Sequence, residues 1–336
     1  MALQLRKNEE LLERSSPAFA LNQDRRLKVM VPYDGSESAA ATLDDLVRAG
    51  LPREIDVLVA VSDVWLPLSP YEITRAVNAR RMMLLTSGLS SFAPALRDSE
   101  EQRVLSLEAD RRIRSIFSAA EIRTEAMQEM AAVASEILRK AKSWGAELII
   151  LGSKTSPSPY ITDYAGPTLR VVQDAHCSVR IARESDRKAD CPINIMIGMD
   201  ESDSTALAVQ AVADRRWPAG SKATIVAVRK SGPRDPAKDS ETALGLERLG
   251  DELRAIGLEA SIVIRYGEPK DVLLQEARDR SVDCIFIDSR GLGQEPGDGF
   301  DRRGLSKVGE ALVLGADCSV EVVRSQGVTN HGKPAA

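Results

Sequence analysis

The sequence predicts an α/β protein of two tandem doubly wound domains, each built on a five-stranded parallel sheet, and three observations predict it. The chain repeats itself, apolar strand-like runs alternate with helical stretches inside each repeat, and 336 residues suit two domains of ordinary size. Such alternation implies right-handed crossovers that lay helices on both faces of each sheet. Two hydrophobic cores are expected, one per repeat.

The elements match copy by copy. The first strand is Leu27 to Ser36 (LKVMVPYDGS) against Ile193 to Ser202 (INIMIGMDES), each ending in an aspartate followed two residues later by serine, so Asp34 and Asp200 are equivalent. The second strand is Asp56 to Val61 (DVLVAV) against Ala223 to Val228 (ATIVAV), and its unbroken apolar character suits burial on both faces. A helix and the fourth strand follow as Ala134 to Lys154 over Lys270 to Arg290, at a constant offset of 136. Ile137, Ala141 and Trp144 recur there at the spacing of a helix lying on a sheet, and Leu273, Ala277 and Arg280 keep that line in the second copy. The closing strand is Cys177 to Arg183 (CSVRIAR) against Cys318 to Arg324 (CSVEVVR), at an offset of 141. Each closing strand ends its sheet, and an apolar edge has to be covered.

This organisation places an N-terminal extension at 1–26, a first domain at 27–184, a linker near Glu184 to Cys191, a second domain at 192–325 and a polar tail at 326–336. An insertion at about 65–106 enlarges the first copy before a helix expected over Leu107 to Ala119. Arg80, Arg81, Met82, Met83 and Leu84 read as a helix with a partly apolar face, serving either as a cap on its own domain or as a partner-binding element.

Composition removes several functions. With 45 basic against 50 acidic residues the net charge is −5, so no large positive field exists to hold nucleic acid or an anionic membrane. No run of about 18 apolar residues or signal-like stretch occurs, which points to a cytosolic chain with no membrane partner. Cys177, Cys191, Cys284 and Cys318 form no C-x-x-C pair and read as small core residues of a reducing compartment. His176 and His331 are the only histidines, too few for a Ser-His-Asp triad in each domain or a histidine metal site. No G-x-x-x-x-G-K-[ST] occurs, and in Gly291-Leu292-Gly293 with Gly297 the third glycine is misplaced for a dinucleotide fingerprint. The chain is expected not to be an enzyme.

Read in order, Asp34-Gly35-Ser36, Gly152-Ser153-Lys154, Gly267-Glu268-Pro269 before a helix and the two Cys-Ser-Val runs resemble the universal stress protein family, over about residues 27–184 and 192–325. The first half departs from the pattern, with Ala131-Ala132-Val133 in place of the Gly-x-Pro turn. The resemblance implies an adenine-nucleotide α-hydrolase-like fold and an intramolecular pseudo-dimer with its closing strands paired antiparallel; it also permits a homodimer of chains. It implies a stress-responsive role and, as cofactor, ATP or another adenine nucleotide, or none where the loops have decayed.

ATP-binding members of that family carry a loop of Gly, two residues, Gly, nine residues, Gly, then Ser or Thr after the fourth strand. Glycines there let backbone N–H groups approach phosphates, and a helix N-terminus receives the charge. The first half keeps the frame through Gly152 and Gly166, but Thr155 and Ala165 replace two glycines and Pro167 removes an N–H. The candidate first-half site is Pro32, Asp34, Val61, Gly152, Lys154, Thr155, Gly166 and Thr168. The weaker second-half set is Gly198, Asp200, Val228, Arg290, Gly291, Ser306 and Lys307, with Asp288 at the first glycine position. A carboxylate about 5 Å from a phosphate is unfavourable by roughly 3 kcal/mol at an effective dielectric near 20, which ranks the first half ahead. Asp34 and Asp200 are either acceptors for adenine or ribose, or ordinary helix caps. Lys154 and Arg290 either touch phosphate or stay solvated. Two functions remain open: a nucleotide-responsive regulatory module with weakened loops, or an assembly scaffold of the same fold.

Overall fold

The computed structural model of the chain describes residues 26–61, 100–127, 133–152, 167–185, 187, 191–199, 206–229, 236–289 and 305–325. In the first half the strands are β1 (Leu27–Tyr33), β2 (Ile55–Val61), β3 (Glu121–Ala126), β4 (Leu148–Gly152) and β5 (Ser178–Ala182). The second half supplies β6 (Asn194–Met199), β7 (Lys222–Arg229), β8 (Glu259–Tyr266), β9 (Cys284–Asp288) and β10 (Ser319–Val323). The first-half helices are α1 (Glu37–Arg48), α2 (Glu100–Ile116), α3 (Val133–Trp144) and α4 (Pro167–Asp174). Those of the second are α5 (Ala206–Ala213), α6 (Pro236–Ala255), α7 (Pro269–Asp279) and α8 (Lys307–Gly315).

Local chemistry explains the helix starts. Ser36 caps α1, its Oγ accepting the Ala39 N–H at 3.2 Å, and Ser306 caps α8 by accepting the Gly309 N–H at 3.0 Å. Before α7 the Gly-x-Pro turn acts as its residues dictate: Gly267 takes φ 142°, and Pro269 occupies the first turn, where a missing N–H costs nothing. Helix α2 differs from expectation, running from Glu100 to Ile116 where Leu107 to Ala119 was predicted. The helical reading of Arg80 to Leu84 lies outside the described residues.

The strand order is β3-β2-β1-β4-β5-β10-β9-β6-β7-β8. Within each half every pairing is parallel, as predicted, while β5 and β10 run antiparallel with Arg180 opposite Glu321. The two halves are therefore not separate sheets: their closing strands fuse them into one, without interleaving strands from the two copies.

The expectation of two cores is corrected by the same junction. On one face α3, α4, α7 and α8 cover a single core that runs from Met30 and Ile137 through Val179 and Val320 to Leu273 and Val228. On the other face the cores stay separate, one under α1 and α2 and one under α5 and α6. Residues alternate along a strand, so Val179, Ile181, Val320 and Val322 enter the shared core while Arg180 and Glu321 face the other way.

Reciprocal contacts mark an approximate twofold axis at the junction. The Arg183 N–H donates to Ser319 Oγ at 3.1 Å and the Arg324 N–H to Ser178 Oγ at 3.2 Å. The Arg183 guanidinium donates to the Val313 carbonyl at the end of α8 (2.7 Å), and that of Arg324 to the Val172 carbonyl at the end of α4 (2.5 Å). Each half thus places a cation on the exposed carbonyls of the other half's helix, where it is electrostatically favoured. Arg48 of α1 adds a further link between halves, to Asp283 at 2.9 Å.

Candidate functional site

In both halves the strand order reverses direction beside the first strand, and at such switch points the carboxyl ends of α/β sheets open into a crevice. The β1–β4 ladder stops at Met30 opposite Ile149, so Pro32, which has no N–H to give, sits where no partner is needed. Beyond it Pro32, Tyr33, Asp34, Ser36, Ser38, Leu151 and Gly152 line a crevice of about 20 Å³. Pro32, Asp34 and Gly152 of the candidate site meet there. Val61 lies one strand away, opposite Tyr33, and Thr168 is in the first turn of α4; neither lines the crevice. Lys154, Thr155 and Gly166 are outside the described residues.

The crevice is narrow because α1 begins against it. A methyl group at Gly152 would collide with the Ser38 carbonyl, so this glycine is required by the approach of the helix backbone. Asp34 Oδ1 accepts the Ser36 N–H at 2.9 Å, Ser36 and Ser38 share a hydrogen bond of 3.0 Å, and the Thr42 hydroxyl donates to the Ser38 carbonyl at 3.2 Å. Asp34 thus closes a turn onto Ser36, and it is Ser36, not Asp34, that caps α1. Leu105 of α2 packs on Gly35, and Tyr33 is buried with its hydroxyl bonded to Glu108. Burial first, and the Glu108 carboxylate second, raise the Tyr33 phenol above its ordinary range.

The second half repeats the framework, with Gly198 at the position of Pro32. Gly198 is buried, and a methyl there would press on Ile287 and Leu273 at 3.1 and 3.3 Å. Val228 is buried in β7, Ser306 is engaged as the α8 cap, and Lys307 is exposed at the start of that helix. Asp200, Arg290 and Gly291 lie outside the described residues. Gly152 pairs with Ala182 across β4 and β5, and Asp288 with Val323 across β9 and β10. Because Ala182 and Val323 are matched residues of the closing strands, Asp288 occupies the position of Gly152, and it is buried there.

Residues 194–324 match the model of the universal stress protein family. The second half is thus similar to that family, and the first half repeats its strand order. A universal stress protein from Archaeoglobus fulgidus superposes with a TM-score of 0.55 at 17% identity, covering 88% of this chain and 96% of its own. A putative universal stress protein from Pseudomonas aeruginosa gives a TM-score of 0.53 at 11% identity, covering 89% of this chain and 93% of its own. A functionally unknown protein from Pseudomonas aeruginosa gives 0.50 at 12% identity, covering 89% and 92%. At these identities the likeness is one of fold. No curated protein matches the chain. Among the described residues no helix is long and apolar enough to cross a membrane, and no group of three or more His, Cys, Asp or Glu could hold a metal ion.

Among the described residues the most heavily charged interior is elsewhere, at the junction of the closing strands, whose pairing was expected but whose charges were not. Arg180 is held by both Asp45 oxygens at 2.5 and 3.0 Å and approaches Glu321 at 3.4 Å, with all three side chains 1% exposed. Glu321 in turn binds Arg215, which also donates to the Ala49 carbonyl at 2.7 Å, and the Ser319 hydroxyl donates to Asp45 at 2.9 Å. Burial disfavours the Arg180 charge, but Asp45 outweighs it, so the net shift of its pKa is upward. The guanidiniums of Arg180 and Arg215 flank the Phe286 ring at 6.0 and 5.0 Å. The available signal was the fourth residue of the closing strands, where CSVRIAR and CSVEVVR exchange a cation for an anion.

The cysteines are free thiols, Cys177 and Cys284 buried and Cys191 and Cys318 half-buried. Burial pushes Cys177 and Cys318 up to about 12 and Cys284 to about 11. These three thiols are therefore protonated near neutral pH, and the thiolate is the reactive form.

Proposed function

We propose that the tandem is a stress-protein-like regulatory scaffold that acts by presenting protein surfaces on a fixed pair of domains. The supporting observation is the first-half crevice of about 20 Å³, room for about one water, where ligand pockets occupy about 300–1,000 Å³. Its polar groups already bond one another through Asp34, Ser36, Ser38 and Thr42. Thermal unfolding with ATP, ADP, AMP or cyclic AMP is expected to leave the melting temperature unmoved. A ligand at about 100 times its dissociation constant adds about 2.7 kcal/mol, and a rise of that size would overturn the scaffold reading.

One observation favours a second reading, in which an adenine nucleotide occupies the first half once the first turn of α1 withdraws from Gly152. Only the first half lacks a carboxylate at the equivalent strand end, Asp288 standing there in the second. Under this reading Asp34→Ala weakens binding by about 1–3 kcal/mol and Asp200→Ala leaves it nearly unchanged. Equal losses would remove the preference for the first half.

A further inference from the structure

We propose that the buried charges at the junction form a pairing code, by which the first half accepts a second half as its partner and rejects a copy of itself. The four side chains alternate in sign, Asp45, Arg180, Glu321, Arg215, and the central link from Arg180 to Glu321 is the one that crosses between halves. The contacts of the strand ends around that link obey the approximate twofold. Ser178 and Ser319 accept equivalent N–H groups, and Arg183 and Arg324 reach equivalent helix ends. Directly across the axis the repeat is broken, Arg180 in one copy and Glu321 in the other, and each has a partner from its own half, Asp45 for Arg180 and Arg215 for Glu321.

The consequence follows from geometry. A first half paired with another first half through the same strand would set Arg180 against Arg180 in a place 1% exposed, giving the order minus, plus, plus, minus. A second half paired with itself would set Glu321 against Glu321. Arg180 would keep Asp45 and Glu321 would keep Arg215, but the crossing attraction would be replaced by repulsion between like charges with no water between them. The symmetric contacts would tolerate either homotypic pair; the central charge does not. Repulsion against the wrong partner, added to attraction for the right one, is how interfaces with similar surfaces are kept apart. The partner this surface fits is therefore a strand carrying an acid at the fourth position of Cys-Ser-Val-x, within this chain or on another.

The test uses full-length chains with two different tags, co-expressed in pairs. In Arg180→Glu both halves carry an acid at the crossing position, and in Glu321→Arg both carry a base, so neither variant can close its own junction. Together they can form one native junction, between the unaltered first half of Glu321→Arg and the unaltered second half of Arg180→Glu. The two variants are expected to co-purify in equal amounts as a complex of two chains by native mass spectrometry. Parent with parent and each variant with itself should not. Two results would overturn the code: either single variant remaining a closed chain with parental stability, or both being perturbed without complementing each other, which would make the charges structural only. Co-expression lets each chain fold on its partner if it cannot fold alone.

Discussion

Along α1 the Asp44 carboxylate points to solvent and pairs with Arg112, whereas that of Asp45, one residue on, is buried and grips Arg180 while accepting from Ser319. The two should behave differently on removal. An exposed ion pair contributes at most about 1 kcal/mol, since solvent screens it and long side chains lose freedom to make it. Taking one partner from a buried pair costs about 3–5 kcal/mol, because the other charge is stranded. Urea denaturation of Asp44→Ala and Asp45→Ala should therefore show losses of under about 1 and of about 3–5 kcal/mol respectively. Similar losses would mean that the interior network adds nothing beyond a surface pair. The sequence offered little to separate the two residues: Ala-Thr-Leu-Asp-Asp-Leu-Val puts both aspartates within one helical turn, and only the position of β5 decides which faces inward.

At the scale of elements, Glu276 of α7 ties its helix to the sheet, bonding Arg265 of β8 at 2.5 Å and Arg280 at 2.8 Å. Burial pushes its carboxyl upward, but the two guanidiniums outweigh that and hold it below the ordinary 4.5. A carboxyl depressed by folding adds stability that is fully present above its unfolded value and disappears as pH falls through the lower folded value. Glu276→Gln should thus be less stable than the parent at pH 7 by about 1–2 kcal/mol, and the gap should close as the pH falls below 4.5. A gap independent of pH would assign the loss to packing. Elements differed in how openly the sequence declared them. Strands buried on both faces, such as the run ending in Val61, announced themselves by unbroken apolar residues. Edge strand β3, Glu-Ile-Arg-Thr-Glu-Ala with two half-buried positions, gave no such run. The start of α2 was missed because its first turn, Glu-Glu-Gln-Arg, is polar and Val104 and Leu107 after it are exposed, so that the buried positions Ala109 and Ile113 come late in the helix. Of the candidate site, Pro32, Asp34 and Gly152 lie together at the crevice, and the approach of Ser38 to Gly152 depends on a helix tilt that no spacing encodes.

For the whole molecule the decisive feature is that the halves share one sheet and, on one face, one core. Val179, Ile181, Val320 and Val322 are all fully buried at the junction. Burying such a side chain is worth about 1.5–3 kcal/mol, so if separating the halves exposes half of each, the opening costs roughly 3–6 kcal/mol before any hydrogen bond is counted. Whole domains are stable by only about 5–15 kcal/mol, so a state with one half folded and its junction face bare is thinly populated. The tandem should accordingly unfold as one unit although it holds two repeats, where independent domains would show two transitions. Trp144 packs against the shared core and Trp217 against the second-half core, which supplies a reporter on each side. In single-tryptophan chains made on a Trp65→Phe background, the two fluorescence transitions should coincide with each other and with far-UV circular dichroism, and the calorimetric and van't Hoff enthalpies should agree. In Glu321→Arg, where the crossing link is repulsive, the two reporters should part. Separate transitions already in the parent would show that the fused sheet is a contact between independently folded halves.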